Sequence, residues 1–220
     1  LTCQDPSASS DGDTLLHYSC KVTSLPCAKY LLEEVKKKGG PLSGGHYASP
    51  LNSSNKTPLH HAAASATPDG SKIVERLISH GALIDETDAS NWTPLHYAAL
   101  SGNVASLHFL AAASTKLEET EEAGRTPLQI AAQKGHLSAV ELLLSPEVGA
   151  SAESLDENDT STYSPAICNF VRAFKSKQSF ADKVAKGRDA WIDGNDVRSS
   201  LLDFFASSAP DSTEWKEANP

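Results

Sequence analysis

The side chains best equipped to hold a metal or move a proton are eight histidines and four cysteines. Zinc chemistry needs Cys and His in closely spaced pairs. Cys3, Cys20, Cys27 and Cys168 form no C-x-x-C, and none stands at zinc spacing from a histidine. Acyl transfer needs a nucleophile with a base in reach, and neither a G-x-S-x-G elbow nor an activating cysteine signature occurs. Phosphate binding by a glycine loop needs a G-K-[ST] ending, which Gly39-Gly40 and Gly44-Gly45 lack. The residues assign no catalytic role, no cofactor and no metal, so the chain reads as a non-enzyme. An unrecognised site within residues 161–220 is the enzymatic alternative, because sites can be grafted on any fold.

The histidines are instead periodic. Thr57-Pro58-Leu59-His60-His61-Ala62-Ala63 recurs as Thr93-Pro94-Leu95-His96-Tyr97-Ala98-Ala99 and as Thr126-Pro127-Leu128-Gln129-Ile130-Ala131-Ala132, at spacings of 36 and 33 residues. A weaker copy, Thr14-Leu15-Leu16-His17-Tyr18-Ser19-Cys20, lies 43 residues earlier. Periods of this length mark stacked helical units. The pattern resembles the ankyrin repeat, T-P-L-H-x-A-A followed by a G-H turn, an apolar pair, L-L and G-A. Later positions agree. Gly135-His136, Val140, Leu143-Leu144 and Gly149-Ala150 fit the fourth copy, and Leu31-Leu32 the first. Ile73-Val74, Leu77-Ile78, Gly81-Ala82, Asp85 and Asp88 fit the second once three extra residues near Pro68-Asp69-Gly70 are allowed. The third departs most, with Ala111 and Ser114 replacing a Leu and the Gly, which predicts a loosely packed second helix.

Each motif position has a physical reason. A Pro in the first helical turn loses no hydrogen bond, and the Thr before it caps the helix. Leu and Ala-Ala recur on one face, where small side chains admit the paired helix. One such pair cannot bury its apolar face alone, so neighbours stack. The resemblance implies an all-α ankyrin-repeat solenoid with short β-turn tips, in which His17, His60 and His96 make structural hydrogen bonds and Gln129 stands in for the fourth.

The remaining chain divides as follows. Residues 1–10 read as a disordered lead and 11–158 as four repeats. A Gly/Pro/Ser-rich flexible insertion at 36–55 carries Lys36 to Lys38 as solvated charges. Residues 159–178 read as a degenerate fifth repeat or cap, with Ser164-Pro165-Ala166-Ile167-Cys168-Asn169-Phe170-Val171 as its first helix. Residues 179–220 read as a C-terminal helical hairpin, Phe180 to Asp193 and Asp196 to Ser208. Gly187, Trp191 and Gly194-Asn195 within it resemble a tetratricopeptide motif, although Arg188 occupies the place of the chaperone-clamp Asn. The lack of any Met reads as a segment of something longer.

A net charge of −9 repels nucleic acid and anionic membrane, and no apolar run is long enough to span a bilayer. Sparse cysteines point to a reducing interior, cytoplasmic or nuclear. The expected role is that of a monomeric adaptor or scaffold that binds another protein, one with a basic segment. The alternative is a regulatory ankyrin/tetratricopeptide segment of a larger protein or chaperone/proteasome-type assembly. In repeats, recognition falls on tips and exposed inner-helix positions. At the third tip these are Ser90 and Trp92, joined by Tyr97, Leu100 and Ser101, with Trp92 and Tyr97 as aromatic anchors. Trp92 either projects into solvent or lies over the neighbouring tip. At the fourth tip, Glu118, Glu119, Glu121 and Glu122 stand beside Arg125, Gln133 and Lys134. That charge run is either solvated surface or a steering field for a basic partner.

Overall fold

A computed structural model describes residues 11–37, 48–156, 158–159 and 161–192. The chain divides into two units, residues 1–171 and 172–220. The described residues of the first form four helix pairs: α1 (Leu15–Lys21) with α2 (Leu25–Lys37), α3 (Pro58–Ala63) with α4 (Pro68–Ser79), α5 (Pro94–Ser101) with α6 (Val104–Ala113), and α7 (Pro127–Gln133) with α8 (Leu137–Leu143). The odd helices pack on one another in one layer, the even helices in a second, and each pair closes across the layers. No strand occurs among the described residues.

The motif explains where each inner helix begins. Thr14, Thr57, Thr93 and Thr126 stand in extended conformation as N-caps, and three of the four precede a proline in the first turn. The residue three places on reaches back. Nδ1 of His17, His60 and His96 accepts the N–H of its own Thr at 3.0–3.1 Å, and Oε1 of Gln129 does the same at 2.9 Å. This reciprocal box satisfies donors that a helix start otherwise leaves orphaned. The same side chains join the repeats. Nε2–H of His17 donates to the carbonyl of Lys56 (2.9 Å), of His60 to Trp92 (3.0 Å), of His96 to Arg125 (3.3 Å), and Nε2 of Gln129 to Ser154 (2.8 Å). Geometry therefore fixes a neutral imidazole with its proton on Nε2. Burial keeps it so, pushing His60 down to about 4 and lowering His17 and His96.

Between the layers lie Leu59, Ile73, Leu77, Leu95, Leu107, Leu110, Leu128, Ile130 and Leu143, all nearly free of solvent contact. The Ala-Ala pairs Ala62-Ala63, Ala98-Ala99 and Ala131-Ala132 are fully buried and set the close approach of the layers. The third repeat departs from expectation. Leu107 and Leu110 of α6 are fully buried and Ala111 nearly so, which is not a loose helix. Its missing glycine is replaced by a different closure, in which Ser114 ends α6 in an extended conformation and its hydroxyl donates to Asp85 at 2.6 Å. The G-H turn also acquires a reason. Gly102 ends α5 at φ 66°, and a Cβ there would lie 2.6 Å from the His136 ring, whose Nε2 meets the Leu100 carbonyl at 3.1 Å. Gly102→Ala is expected to cost roughly 2–4 kcal/mol, from left-handed strain plus the clash. Gly81→Ala, also at positive φ but with open space around it, should cost only about 1 kcal/mol in the same urea titration. Equal losses would show that the His136 contact is immaterial.

Two expected boundaries are corrected. Residues 48–55 are not a flexible insertion. Ala48, Ser49 and Asn52 are buried, Ser49 accepts the Leu83 N–H at 2.7 Å, and Asn52 donates to Asp13 at 2.7 Å. Lys36 and Lys37 belong to α2 rather than a loop, whereas 38–47 lie outside the described residues. No helix begins at Phe180. A single helix, α9, runs from Pro165 to Ile192, because no Gly or Pro interrupts it until Gly187. Its opening turns, with Ile167, Cys168 and Val171 buried, belong to the first unit, which ends at Val171. The second unit is described as the continuation of α9 to Ile192, and the expected Asp196 to Ser208 helix lies outside the described residues.

Candidate partner-binding surface

The second, third and fourth tips are tight loops, each held by one side chain five residues before the motif Thr. At the second tip, Asn52 Oδ1 accepts the N–H groups of Ser54 (3.0 Å) and Lys56 (2.9 Å). At the third, Asp88 Oδ1 accepts those of Ser90 and Trp92, both at 2.9 Å. At the fourth, Glu121 accepts from the Ala123 N–H (2.9 Å) and from Nε of Arg125 (2.7 Å). The loop then turns through positive φ at Asn55, Asn91 and Gly124, residues that tolerate it best. Successive tips are tied to one another, Ser53 N–H to Asp11 carbonyl, Ala89 to Ser54 and Glu122 to Ser90. The tips are thus rigid and set by the stack.

The third tip carries an aromatic and charged cluster. Trp92 and Tyr97 rings lie 5.0 Å apart and tilted, and Trp92 also meets the His96 ring at 5.8 Å. Tyr97 donates its hydroxyl to Asp88 Oδ2 at 2.7 Å, while the Lys56 ammonium sits 5.0 Å from the Tyr97 ring centre and 3.9 Å from the same carboxylate. Burial, followed by that hydrogen bond to a carboxylate, pushes the Tyr97 phenol up, so it remains a neutral donor. Asp88 is buried, with 3% of its side chain exposed, and its charge is met by Lys56 and three donors.

The residues expected to bind fall into three groups. Trp92 does not project freely; it is half-buried over Tyr97 and His96, and Leu100 and Ser101, two turns further along α5, are also half-buried, the Ser101 hydroxyl donating to Ala63 and Ala98 carbonyls at 3.1 Å. Ser90, Glu118, Glu122, Gln133 and Lys134 are exposed, and Glu119 is half-buried. Glu121 is the correction: it is 6% exposed and faces inward. Burial alone would raise its pKa, but the Ala123 N–H and the Arg125 guanidinium hold it below the usual carboxylate range. Glu118 is exposed yet accepts the Ser151 N–H at 2.7 Å, and Glu119 lies 4.0 Å from Lys116. Arg125 bridges Glu121 and Gln133, the latter at 2.8 Å. Missed from sequence were the tip residues Asn52, Asp88 and Glu121 as organisers and Lys56 as Tyr97's cation. The available signal was an amide or acid recurring five residues before Thr57, Thr93 and Thr126.

Among the described residues no group of three or more His, Cys, Asp or Glu is placed to hold a metal ion, and no helix is long and apolar enough to cross a membrane. Cys20 and Cys168 are buried free thiols, Cys20 pushed up to about 12 by burial.

A family model for ankyrin repeats, in three copies, matches residues 1–88 and again 64–159. The chain belongs to the ankyrin-repeat family. Ankyrin repeats generally mediate protein–protein interaction and are typically non-enzymatic modules. No curated protein matches the chain. In ankyrin terms, capped helix pairs of this kind are the repeats, the Asn52, Asp88 and Glu121 loops are the tips, and the clustered third tip lies between the second and third helix pairs.

Proposed function

We propose that this ankyrin stack is an adaptor that binds a partner protein across the tips and inner helices of repeats two to four, with Trp92 as its central anchor. One observation carries the reading. Before Thr57, Thr93 and Thr126 the hydrogen bond that joins the repeats is made by a backbone carbonyl, which accepts the preceding repeat's histidine, and the side chain at that place is Lys56, Trp92 or Arg125 in turn. The link between repeats therefore does not dictate the indole at position 92, which is only half-buried over Tyr97 and His96. A large ring on a rigid, pre-ordered loop lowers the entropy cost of association, and Trp is the residue most enriched among binding hot spots. Exposed Glu118 and Glu122 on the next tip support a basic segment in the partner, chiefly by accelerating encounter.

The test uses the fold-compatible exchange that the repeats themselves supply. Partners captured from the native cell by the wild-type chain should lose at least about 1 kcal/mol of affinity, roughly fivefold, with Trp92→Ala or Trp92→Lys. Urea stability should fall by no more than about 1 kcal/mol for Trp92→Lys, the share of a half-buried ring resting on Tyr97 and His96. Unchanged affinity for every captured partner removes Trp92 from the site.

A further inference from the structure

The third repeat departs from its neighbours where its outer helix ends. The second and fourth repeats close on Gly81 and Gly149, both at positive φ, whereas the third closes on the hydroxyl pair Ser114-Thr115. Both hydroxyls bond one carboxylate. Ser114 Oγ donates to Asp85 Oδ1 at 2.6 Å, and Oδ2 accepts the Thr115 hydroxyl at 2.8 Å and its N–H at 3.1 Å. Burial alone would raise the Asp85 carboxyl, but these donors hold it below the usual carboxylate range, so it is ionised at neutral pH. This closure ties the segment after α4 to the end of α6, across the second and third repeats. Thr115 is nonetheless exposed, and residues 114–126 form neither helix nor strand. Glu118, Glu119, Glu121 and Glu122 follow it in sequence, the first of them three places on. Glu118 and Glu122 are exposed, Glu119 is half-buried, and Glu121 faces inward.

We infer that Thr115 is a phosphorylation site for an acid-directed serine/threonine kinase, and that the phosphate opens the Asp85 closure. Kinases select substrates by charge pattern, and a basic substrate groove is matched by an exposed hydroxyl on an irregular loop with carboxylates just beyond it. The fold discriminates among the hydroxyls. Ser114 is half-buried and has Leu117 three places on. Ser138 is exposed with Glu141 three places on, but it lies inside α8, where its backbone is committed to the helix. In the transfer, Thr115 Oγ1 attacks the γ-phosphorus of magnesium ATP held by the kinase. The new O–P bond replaces the bridge to the β-phosphate, ADP leaves, and the hydroxyl proton passes to the kinase's base. The esterified oxygen no longer donates, and the phosphate places about 1.5 to 2 negative charges beside an ionised carboxylate. Asp85 thereby loses one of its donors and gains a like-charged neighbour. Exposed Lys116, already 4.0 Å from Glu119, offsets one charge at most. The switch sits at a repeat junction and is independent of what the tips bind.

The full chain incubated with an acid-directed kinase and radiolabelled magnesium ATP, beside casein as a positive control, should take up phosphate that mass mapping places on Thr115. Thr115→Ala should abolish that label, and Glu118→Gln with Glu119→Gln should slow it at least about tenfold. A basic-directed kinase on the wild-type chain keeps the test decisive even if the glutamate pair disturbs the fold: it should leave Thr115 unlabelled. In the phosphorylated chain the Thr115 amide, which bonds Asp85 at 3.1 Å, should exchange at least about tenfold faster than in the unmodified one. Casein labelled while Thr115 is not, label on Ser138 in its place, or equal labelling of Thr115 by both kinases would overturn the site. Unchanged exchange at Thr115 in the phosphorylated chain would overturn the opening of the closure.

Discussion

His60→Ala is expected to destabilise the stack by about 3 kcal/mol or more. The imidazole is 1% exposed and serves three groups at once: the Thr57 N–H, the Thr57 hydroxyl and the Trp92 carbonyl. Alanine leaves a cavity and strands all three. His60→Gln should cost only about 1 kcal/mol, because Gln129 performs the same double duty one box later, reaching both its own Thr and the next repeat. Urea titration of the two variants checks this, and equal losses would show that bulk rather than hydrogen bonding matters at the position.

The same histidine predicts an acid sensitivity of known sign. Burial pushes His60 and His61 from an ordinary 6.5 to about 4, so both are neutral in the fold while the unfolded chain takes up protons first. Their contribution is whole above pH 6.5 and is lost as pH falls toward 4, at up to about 1.4 kcal/mol per pH unit for each group. His17 and His96, lowered for the same first reason, steepen the slope. Unfolding free energies between pH 6.5 and 4.5 should fall with acidity, and His60→Gln should remove one group's share. A flat profile in that window contradicts the assignment.

Asp88→Ala is expected to cost about 3 kcal/mol and to loosen the third tip. The substitution removes the acceptor for the Ser90 and Trp92 N–H groups and for the Tyr97 hydroxyl, and leaves the Lys56 ammonium without its carboxylate. Amide exchange at Ser90 and Trp92 should accelerate while the Leu95 core stays protected. Asp88→Asn should cost about 1 kcal/mol, because Asn52 holds the preceding tip with an amide. If Ser90 and Trp92 exchange no faster in Asp88→Ala, the carboxylate does not organise the loop.

The four Thr-anchored boxes were legible because their period is set by local helix capping, which a linear pattern records. The tip organisers were less so. A run of five residues rich in glutamate shows composition but not direction, and Glu121 faces inward only because Arg125 and the Ala123 N–H draw it there. Likewise 48–55 reads as a loop by composition, yet a buried Asn52 and Ser49 tie it to Asp13 and Leu83 across the stack. Those are contacts at a sequence distance that periodicity does not encode. In the third repeat, the exchange of glycine for Ser114 looked like a weakness and is a substitute closure, since a hydroxyl can satisfy Asp85 where a glycine cannot. The unbroken α9 across residue 179 was missed because the apolar spacing shifts there without any residue that stops a helix.

The residue before each motif Thr serves two readers. Its carbonyl is read by the preceding histidine, and its side chain by whatever approaches the tip. A substitution there changes the second message and leaves the first intact, and its stability cost is that of the side chain's own contacts, heavier at Arg125, which holds buried Glu121, and at Lys56, which faces buried Asp88, than at Trp92. A lineage descending from this stack could exchange partners one tip at a time without passing through an unfolded ancestor.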